Sequence, residues 1–411
     1  MPIATQLERF AHVLSDYRIY WQFSPFAWVA GSAANTPSLN QLEALAAWPR
    51  TLCDALAQLS DAEVAQLEAS PAQLQVFFRP WFYALSELPP IATSGHTPID
   101  EPPFWLTNGI GGRKLAQIQA FLGQVSESAG SAVEWCAGKG HLGRIFAYNQ
   151  QRVVTSVEWQ ASLCEQGQAI AQQQQLPQQF VNADVLRHTE QTRKTLADAN
   201  QAFALHACGD LHLALIEQAA NAGCSALYIA PCCYHLTERV PYNGVSSAAR
   251  KLFLNQQLQL SAHDLKLAVQ GQVTAGERIA QLRRTEVHWR LAFQCLREGV
   301  TGDARYHPLR SINKSWFSGD FAAFAQWAAA QHDVRLPRQC DWQQFLAMGA
   351  QRARMVARLE LVRHAFRRQL ESLLVLDRAM WLTELGYDVS LVEFCAYEQS
   401  PRNFLLNAQK N

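Results

Sequence analysis

Apolar residues recur along the chain in two different patterns. Within residues 1–90 they stand three and four positions apart, as in LNQLEALAAWPRTLCDALAQL, which is the spacing of amphipathic helices. From residue 131 the pattern changes, and short apolar runs alternate with helical stretches. Such alternation predicts a parallel sheet with helices on both faces. The pattern therefore indicates an α/β fold that follows a helical region.

Five of the short apolar runs are predicted to be strands. In chain order they are SAVEWC, VVTSVEW, QFVNADVL, QAFALHACGD and SALYIAPCCYH. Two further strand-like runs surround a Ser-Pro-Arg-Asn turn at the end of the chain. Since these two runs are close in sequence, they predict an antiparallel pair at a sheet edge.

The changes in pattern also predict how the chain is divided. The stretch LPPIATSGHTPIDEPPF is rich in proline and turn-forming residues, which is typical of a linker. The predicted regions are a helical N-terminal domain (1–90), a linker (91–104), a sheet domain (105–244 and 371–411) and a mostly helical, arginine-rich insertion (245–370).

Charge is balanced over the whole chain but not within it. The 35 Lys and Arg residues equal the 35 Asp and Glu residues, so the molecule as a whole is not a strong binder of polyanions. Residues 278–370, however, hold 16 Lys or Arg against 7 Asp or Glu. This excess indicates either a solvated helical surface or a site for phosphates, which arginine binds through paired hydrogen bonds.

Membrane and secretory segments are not predicted. No apolar stretch approaches the length of a transmembrane helix, and the first residues lack the pattern of a secretory signal. The ten cysteines are scattered, which in a chain of this size indicates reduced thiols rather than disulfides. We therefore expect a cytoplasmic protein with no membrane partner.

Polar residues follow three of the predicted strands, at the edge where parallel sheets bind ligands. Gly138, Lys139 and Gly140 follow the first strand, where glycine lets the backbone approach a ligand and the next helix offers its positive end. Glu158 ends the second strand and suits the two hydroxyls of a ribose. Asp184 follows the third and can accept a hydrogen bond from an adenine amine. These residues predict a site for an adenosine-containing cofactor.

Two features favour S-adenosylmethionine over a dinucleotide. The turn has only two glycines, with Cys136 in the place of the first glycine of a dinucleotide motif. Glu134 stands two positions before it, which matches the Glu-x-Gly-x-Gly-x-Gly pattern of S-adenosylmethionine enzymes, where this glutamate binds the ammonium group of the methionine moiety. We also assign His141 and, on the preceding helix, Lys114 to the predicted cofactor site.

The fourth and fifth strands end in residues suited to an acceptor. Asp210 or His235 can take a proton, and Tyr234 can stack on a base, so these three are the predicted catalytic residues. Cys208, at the end of the fourth strand, is assigned to the cofactor site.

The same strand ends also leave a metal site open as an alternative, because several cysteines and histidines lie near one rim. Zinc needs four ligands in a tetrahedron. Cys232 and Cys233 are neighbours on a strand, so their side chains should point to opposite faces. We therefore predict no metal and expect buried, reduced thiols.

Four motifs, taken together and in this order, resemble those of one protein family. They are Cys-Ala-Gly-Lys-Gly-His-Leu-Gly-Arg, His-Ala-Cys-Gly-Asp-Leu, Pro-Cys-Cys-Tyr-His and Ser-Pro-Arg-Asn. The chain resembles, over residues 105–270 and 355–411, a subgroup of class I S-adenosylmethionine-dependent methyltransferases. The subgroup contains the methyltransferase-like 25, ribosomal-RNA-adenine-dimethylase-domain-containing and glutathione-S-transferase-C-terminal-domain-containing proteins.

The resemblance implies a Rossmann-like, seven-stranded sheet with an antiparallel last pair and a helical insertion before the last two strands. It implies that Gly138, Lys139 and Gly140 hold the cofactor, with Glu158 on its ribose and Asp184 near its adenine. The Cys-Cys-Tyr loop also resembles one in tRNA 2′-O-methyltransferases, which favours RNA as the acceptor.

The function predicted from the sequence is transfer of a methyl group from S-adenosylmethionine to RNA, with the arginine-rich insertion as the surface for phosphates. A protein or small-molecule methyltransferase, a non-catalytic S-adenosylmethionine-binding module and a metal or redox protein are the alternatives.

Overall fold

The structure is a computed structural model that describes residues 1–32, 39, 42–95, 99–126, 130–270 and 277–410. Residues 96–98 of the expected linker and 271–276 of the expected insertion lie outside this set. The chain divides into two compact units. The sheet unit consists of Met1–Asp16, Glu87–Val273 and Arg367–Asn411, and the helical unit consists of Tyr17–Ser86 and Thr274–Phe366.

All strands of the sheet unit that the structure describes belong to one sheet. The strands are β1 (Thr93–Ser94), β2 (Ala132–Trp135), β3 (Val154–Glu158), β4 (Gln178–Asn182), β5 (Gln201–Cys208), β6 (Ala226–Cys232), β7 (Tyr387–Glu393) and β8 (Phe404–Lys410). Their order across the sheet is β1-β7-β8-β6-β5-β2-β3-β4.

The predicted sheet is confirmed. Strands β2 to β6 are mutually parallel, and β8 runs antiparallel to both β6 and β7. The two-residue strand β1 is an addition at the edge, parallel to β7. It comes from the stretch that was expected to be a linker, so part of that stretch belongs to the sheet.

Helices flank the strands and also make up the helical unit. In chain order they are α1 (Ile3–Asp16), α2 (Pro25–Val29), α3 (Arg50–Gln58), α4 (Asp61–Ala69), α5 (Pro71–Phe78), α6 (Tyr83–Ser86), α7 (Phe104–Thr107), α8 (Gly112–Leu122), α9 (His141–Gln150), α10 (Ala161–Gln173), α11 (Glu190–Ala197), α12 (Asp210–Ala222), α13 (Ser247–Asn255), α14 (Ala262–Leu267), α15 (Glu277–Thr301), α16 (Phe321–Gln331), α17 (Trp342–His364) and α18 (Arg367–Glu384). Among the described residues, none of these helices combines the length and the apolar character needed to cross a membrane.

The core of the sheet unit explains why its strands are apolar runs. Every residue of β2 and of β6 is buried, as expected for central strands that are covered on both faces. On one face, Phe121 of α8 and Phe146 of α9 pack against Phe203 of β5, with ring centroids 6.5 and 5.2 Å from it. Burial of an aromatic side chain of this size stabilises the fold by about 2 kcal/mol.

The helical unit is organised around the pair α15 and α17. A Cβ on Gly349 of α17 would lie 2.6 Å from the backbone nitrogen of Ala292 on α15, so only glycine permits this close approach. Trp289 of α15 and Phe324 of α16 belong to the aromatic core beside the pair. The apolar residues of this region are therefore helix core.

Several arginines of the charged region form ion pairs inside the helical unit. Arg352 pairs with Glu298 at 2.7 Å, and its side chain is buried. Arg363 is also fully buried and pairs with Glu360 at 2.9 Å. Part of the arginine excess in the sequence is therefore used to hold this unit together.

The division into units differs from the one expected from the sequence. Helix α1 belongs to the sheet unit, where it packs against α18 through a face that includes Leu7, Phe10 and Leu14. Residues 17–86 of the expected N-terminal domain share a unit with residues 274–366 of the expected insertion. The helical periodicity shows that α1 has an apolar face, but it does not show which surface covers that face.

A buried carboxylate on α18 anchors the chain that leaves β6. Asp377 accepts hydrogen bonds from the Tyr242 hydroxyl, from the backbone N–H groups of Val245 (2.8 Å) and Ser246 (2.9 Å), and from the Ser246 hydroxyl (2.7 Å). Its side chain is 0% exposed. Because the donors are themselves buried, they depend on Asp377 for their hydrogen bonds.

The substitution Asp377→Ala should lower the free energy of unfolding by about 3 kcal/mol, because it leaves several buried donors without a partner. Urea denaturation followed by circular dichroism measures this loss. The exposed Asp388 of β7 gives the matched control Asp388→Ala, which should change stability by less than about 0.5 kcal/mol. Equal effects of the two substitutions would contradict the anchoring role of Asp377.

Candidate functional site

The parallel strands β2 to β6 bring their carboxyl ends to one edge of the sheet. Glu158 and Cys208 are the last residues of β3 and β5, and Cys232 is the last residue of β6. The turn from Cys136 to Gly140 connects β2 to α9 at the same edge. We call this edge the rim.

The turn after β2 has an unusual backbone that only small residues adopt easily. Gly138 and Gly140 have φ values of 59° and 68°, and Cys136 has a φ of 56°. A Cβ on Gly140 would lie 2.4 Å from the side-chain nitrogen of Gln178, whereas a Cβ on Gly138 would meet no atom within 4 Å. Gly140 is therefore required for packing, and Gly138 borders open space.

Glu158 joins the ends of two strands. One carboxylate oxygen accepts a hydrogen bond from the N–H of Gly138 at 2.9 Å, and the other accepts one from the N–H of Gln160 at 3.0 Å. The residue is only 6% exposed. A carboxylate oxygen can accept about two hydrogen bonds, so each retains the capacity to bind a hydroxyl group.

Glu134 lies deeper than the rest of the predicted cofactor site. It is 4% exposed and accepts a hydrogen bond from the Ser156 hydroxyl at 2.7 Å. Burial raises its pKa to about 7, while Ser156, the backbone N–H groups of Gly143 and Leu142 and the charge of Lys114 lower it. In this structure the carboxylate therefore supports the first turn of α9, rather than standing at the open rim.

Four basic side chains lie near the start of α9. Nδ1 of His141 is 2.5 Å from a guanidinium nitrogen of Arg144. Burial, together with the charges of Lys114, Arg144 and Lys139, lowers the pKa of His141 to about 4, so His141 is neutral and accepts this hydrogen bond. Desolvation lowers the pKa of Lys114, whose charge interacts with Glu134. Lys139 is exposed at the tip of the turn.

Asp184 has local partners. One of its oxygens accepts a hydrogen bond from the N–H of Leu186 at 3.1 Å, which caps a single 3₁₀ turn (Val185–Arg187), and the other pairs with Arg187 at 3.1 Å. Its side chain is partly exposed beyond β4. Asp184 therefore stays a candidate for binding the adenine, and its carboxylate already contacts Leu186 and Arg187.

An exposed aromatic side chain at the rim was not among the predicted site residues. Trp159 directly follows Glu158 and is 68% exposed. Asn182 of β4 donates a hydrogen bond to its carbonyl oxygen at 2.8 Å, which ties the backbone at this point to the neighbouring strand. The signal in the sequence is a tryptophan placed immediately after the acidic residue of a strand end.

Three cysteines form a cluster at the ends of β5 and β6. The sulfur atoms of Cys208, Cys232 and Cys233 all lie within 4.8 Å of one another. Cys136 interacts electrostatically with Cys208, and burial, with the nearby carboxylate of Glu158, raises the pKa of Cys136 to about 12. Cys136 is therefore a neutral thiol, and Cys208 belongs to the cysteine cluster.

The structure corrects the role predicted for Tyr234. The residue is 1% exposed, its hydroxyl lies 3.4 Å from the carbonyl oxygen of Pro231, and its ring centroid lies 4.9 Å from the guanidinium carbon of Arg378. Because burial encloses both faces of the ring, Tyr234 belongs to the core and cannot stack on an acceptor.

Asp210 and His235 lie at the same loop as Tyr234 but differ in their contacts. Asp210 accepts hydrogen bonds from the Thr237 hydroxyl at 2.6 Å and from the N–H of Glu238 at 2.9 Å, so it holds the loop after β6. Nδ1 of His235 is buried and has no hydrogen-bond partner among the described residues. A catalytic role for either residue stays a prediction.

Comparison with known proteins supports a methyltransferase. Residues 113–240 match a family model described as a methyltransferase domain. This range begins in α8 and ends in the loop after β6, so it covers β2 to β6 and the whole rim. No curated protein and no solved structure matched the chain. Residues 113–240 of the sheet unit are thus similar to a methyltransferase domain, and the match is not specific to the subgroup named above.

The raised pKa of Glu134 predicts a dependence of stability on pH. Between its usual pKa of 4.5 and about 7, the folded chain keeps a proton that the unfolded chain has lost. Glu134 therefore lowers stability progressively as the pH rises through this window. The substitution Glu134→Gln removes the ionisation, so its stability relative to the unchanged protein should rise from about pH 5 to about pH 8.

Urea denaturation at the two pH values measures this difference. The exposed Glu165 of α10 gives the matched control Glu165→Gln, because its carboxyl group is not buried. A Glu134→Gln curve parallel to that of the control would contradict the assignment.

Proposed function

We propose that the protein is an S-adenosylmethionine-dependent methyltransferase whose cofactor binds at the rim, between the turn after β2 and the end of β3. The observation that carries the proposal is the bridge from Glu158 to the N–H of Gly138, beside the open space at Gly138. This bridge places a carboxylate next to a glycine turn and a helix N-terminus, which suits a ligand with a ribose and a charged amino acid.

The residues of the rim fit each part of S-adenosylmethionine. Glu158 supplies acceptors for the ribose hydroxyls. Trp159 supplies an exposed aromatic surface for the adenine, since a base–aromatic stack contributes about 1–3 kcal/mol. Lys139 and the backbone N–H groups of residues 137–141 are assigned to the carboxylate of the methionine moiety.

When bound, S-adenosylmethionine supplies a methyl group activated by a positively charged sulfur. The contribution of the chain is to align donor and acceptor and to exclude water. Asp210 serves this purpose indirectly, because it holds the loop after β6 through Thr237 and Glu238. We assign Asp210 a positioning role on this basis.

The acceptor that we propose is RNA. Support comes from the excess of arginine in residues 278–370. Arginines in buried ion pairs, such as Arg352 with Glu298, cannot contact phosphates. Others, including Arg283, Arg310 and Arg335, are exposed, and arginine binds phosphates through paired hydrogen bonds. The proposal therefore depends on the exposed arginines alone.

The cofactor site is tested by titration calorimetry with S-adenosylhomocysteine. The substitution Glu158→Gln should weaken binding by about tenfold or more, because a hydrogen bond to a charged acceptor contributes about 1.5–3 kcal/mol. Asp184→Ala should have a smaller effect, since Arg187 and the 3₁₀ turn already use that carboxylate. Glu165→Gln, on the exposed face of α10, should bind normally.

The unfolding temperature of each variant without ligand shows whether it folds. Normal affinity in a folded Glu158→Gln variant would exclude the proposed cofactor position.

The acceptor is tested with S-adenosylmethionine labelled in its methyl group and a fractionated cell extract. Label should enter a fraction that ribonuclease destroys, and transfer should fall steeply as salt is raised, because phosphate contacts release counterions. The substitutions Arg283→Glu and Arg335→Glu reverse two exposed charges. They should reduce transfer of the labelled methyl group without weakening cofactor binding. Label in protein or in small solutes would contradict RNA and leave the cofactor site intact.

A further inference from the structure

The cysteine cluster, defined above as Cys208, Cys232 and Cys233, has the dimensions of a metal site. The sulfurs of Cys208 and Cys232 are 3.4 Å apart, and all three sulfurs lie within 4.8 Å of one another. Thiolates that bind zinc lie about 2.3 Å from the metal, which sets their sulfurs about 3.8 Å apart in a tetrahedron. The distance between Cys208 and Cys232 is slightly below this value, and the limit on the other two distances lies about 1 Å above it.

Unusual backbone geometry brings the three sulfurs together. The pairing of β5 with β6 shifts between Leu205 and Cys208, where His206 has a φ of 72°, and this shift places Cys208 beside Cys232. Cys233 has a φ of 49°, so the chain leaves the regular strand geometry directly after Cys232. The expectation that Cys232 and Cys233 point to opposite faces of the sheet is therefore wrong.

The loop after β6 is held against the cluster by a close contact between backbones. Gly209 follows Cys208 and has a φ of 58°, and a Cβ at this position would lie 1.7 Å from the carbonyl oxygen of Leu236. The N–H of Asp210 donates a hydrogen bond to the same carbonyl oxygen at 3.0 Å. The Asp210 carboxylate completes the attachment by accepting hydrogen bonds from the Thr237 hydroxyl and the N–H of Glu238. The cluster is thus a constrained arrangement.

The close spacing of the three sulfurs favours a bound cation, because thiolate sulfurs are the ligands that zinc prefers in structural sites. A soft cation would replace the thiol protons and neutralise the sulfur charges.

His235 is the candidate for a fourth ligand. It lies two residues after Cys233, and neither of its ring nitrogens is within 4.8 Å of all three sulfurs, so its side chain has to turn toward the cluster to bind a metal. Its Nδ1 atom is buried and has no hydrogen-bond partner among the described residues. A buried imidazole nitrogen without a partner costs free energy, which coordination of a metal would recover.

We propose that Cys208, Cys232 and Cys233 bind a zinc ion through their sulfur atoms and that His235 turns its Nδ1 atom toward the ion to complete the tetrahedron. Binding forms three Zn–S bonds and one Zn–N bond, and the thiol protons are released to solvent. The ion joins the ends of β5 and β6 to the loop that follows. This site is independent of the cofactor proposal, because none of its ligands is needed to bind S-adenosylmethionine there.

The test uses the full-length protein, purified from zinc-supplemented culture without a chelating tag. Elemental analysis should find one zinc ion per chain. After removal of zinc under reducing conditions, titration with Co²⁺ should give the thiolate charge-transfer band and the intense visible bands of tetrahedral cobalt. The variants Cys208→Ser and Cys233→Ser should lose zinc and the cobalt spectrum.

His235→Ala keeps the three thiolates, so it should still give a cobalt–thiolate spectrum, with an affinity lower by about tenfold or more. The matched control is Cys224→Ser, which removes another buried thiol of the sheet unit that is not part of the cluster. It should retain both the metal and the spectrum.

Three results would overturn the proposal. The first is protein that binds S-adenosylhomocysteine, and is therefore folded, but contains no zinc and gives no cobalt spectrum. The second is metal binding that survives in both Cys208→Ser and Cys233→Ser. The third is a Cys208–Cys232 disulfide in protein prepared without reductant, with no cobalt spectrum after reduction, which would identify a redox pair in place of the metal. An unchanged cobalt affinity in His235→Ala would remove His235 from the ligand set.

Discussion

The parallel direction of β2 to β6 is the constraint on which the functional part of this structure depends. Parallel strands must all end at the same edge, so residues that lie far apart in sequence become neighbours there. The turn at Gly138 and the carboxylate of Glu158 come from adjacent strands and are joined by a 2.9 Å hydrogen bond. On the other half of the same edge, Cys208 and Cys232 meet because β5 and β6 are paired. The glycine turn with Glu158 and the cysteine cluster are thereby placed side by side.

Below the rim, buried polar groups fix the elements that shape it. Asp377 and Arg378, adjacent on α18, bind the chain that leaves β6 and the side chain of His212 on α12. Glu134 performs a similar task at the start of α9, where it meets Ser156. Buried charges of this kind contribute little net stability when paired, but they are costly to disrupt. They therefore determine the positions of the loops more than the total stability.

The sheet was predictable because its signal is local. Alternating apolar runs reveal parallel strands, and the glycines, Glu158 and Asp184 follow those runs directly. The predicted role of Tyr234 was wrong for a different reason. A tyrosine after a strand can point to solvent or to the core, and the choice depends on Arg378, which is 144 residues away in the chain. Likewise, periodicity reveals the apolar face of α1 but not that α18 covers it.

The positions of the strands, of the glycine turn and of the acidic residue at the end of β3 could be read from the sequence. Each is marked by residues that stand together in the chain. The folded chain was needed to show which arginines are buried in ion pairs, where Glu134 points and how three cysteines converge. The convergence of the cysteines involves positive φ values at His206 and Cys233 and a register shift between β5 and β6. A sequence pattern with a period of two carries no information about such departures from regular strand geometry.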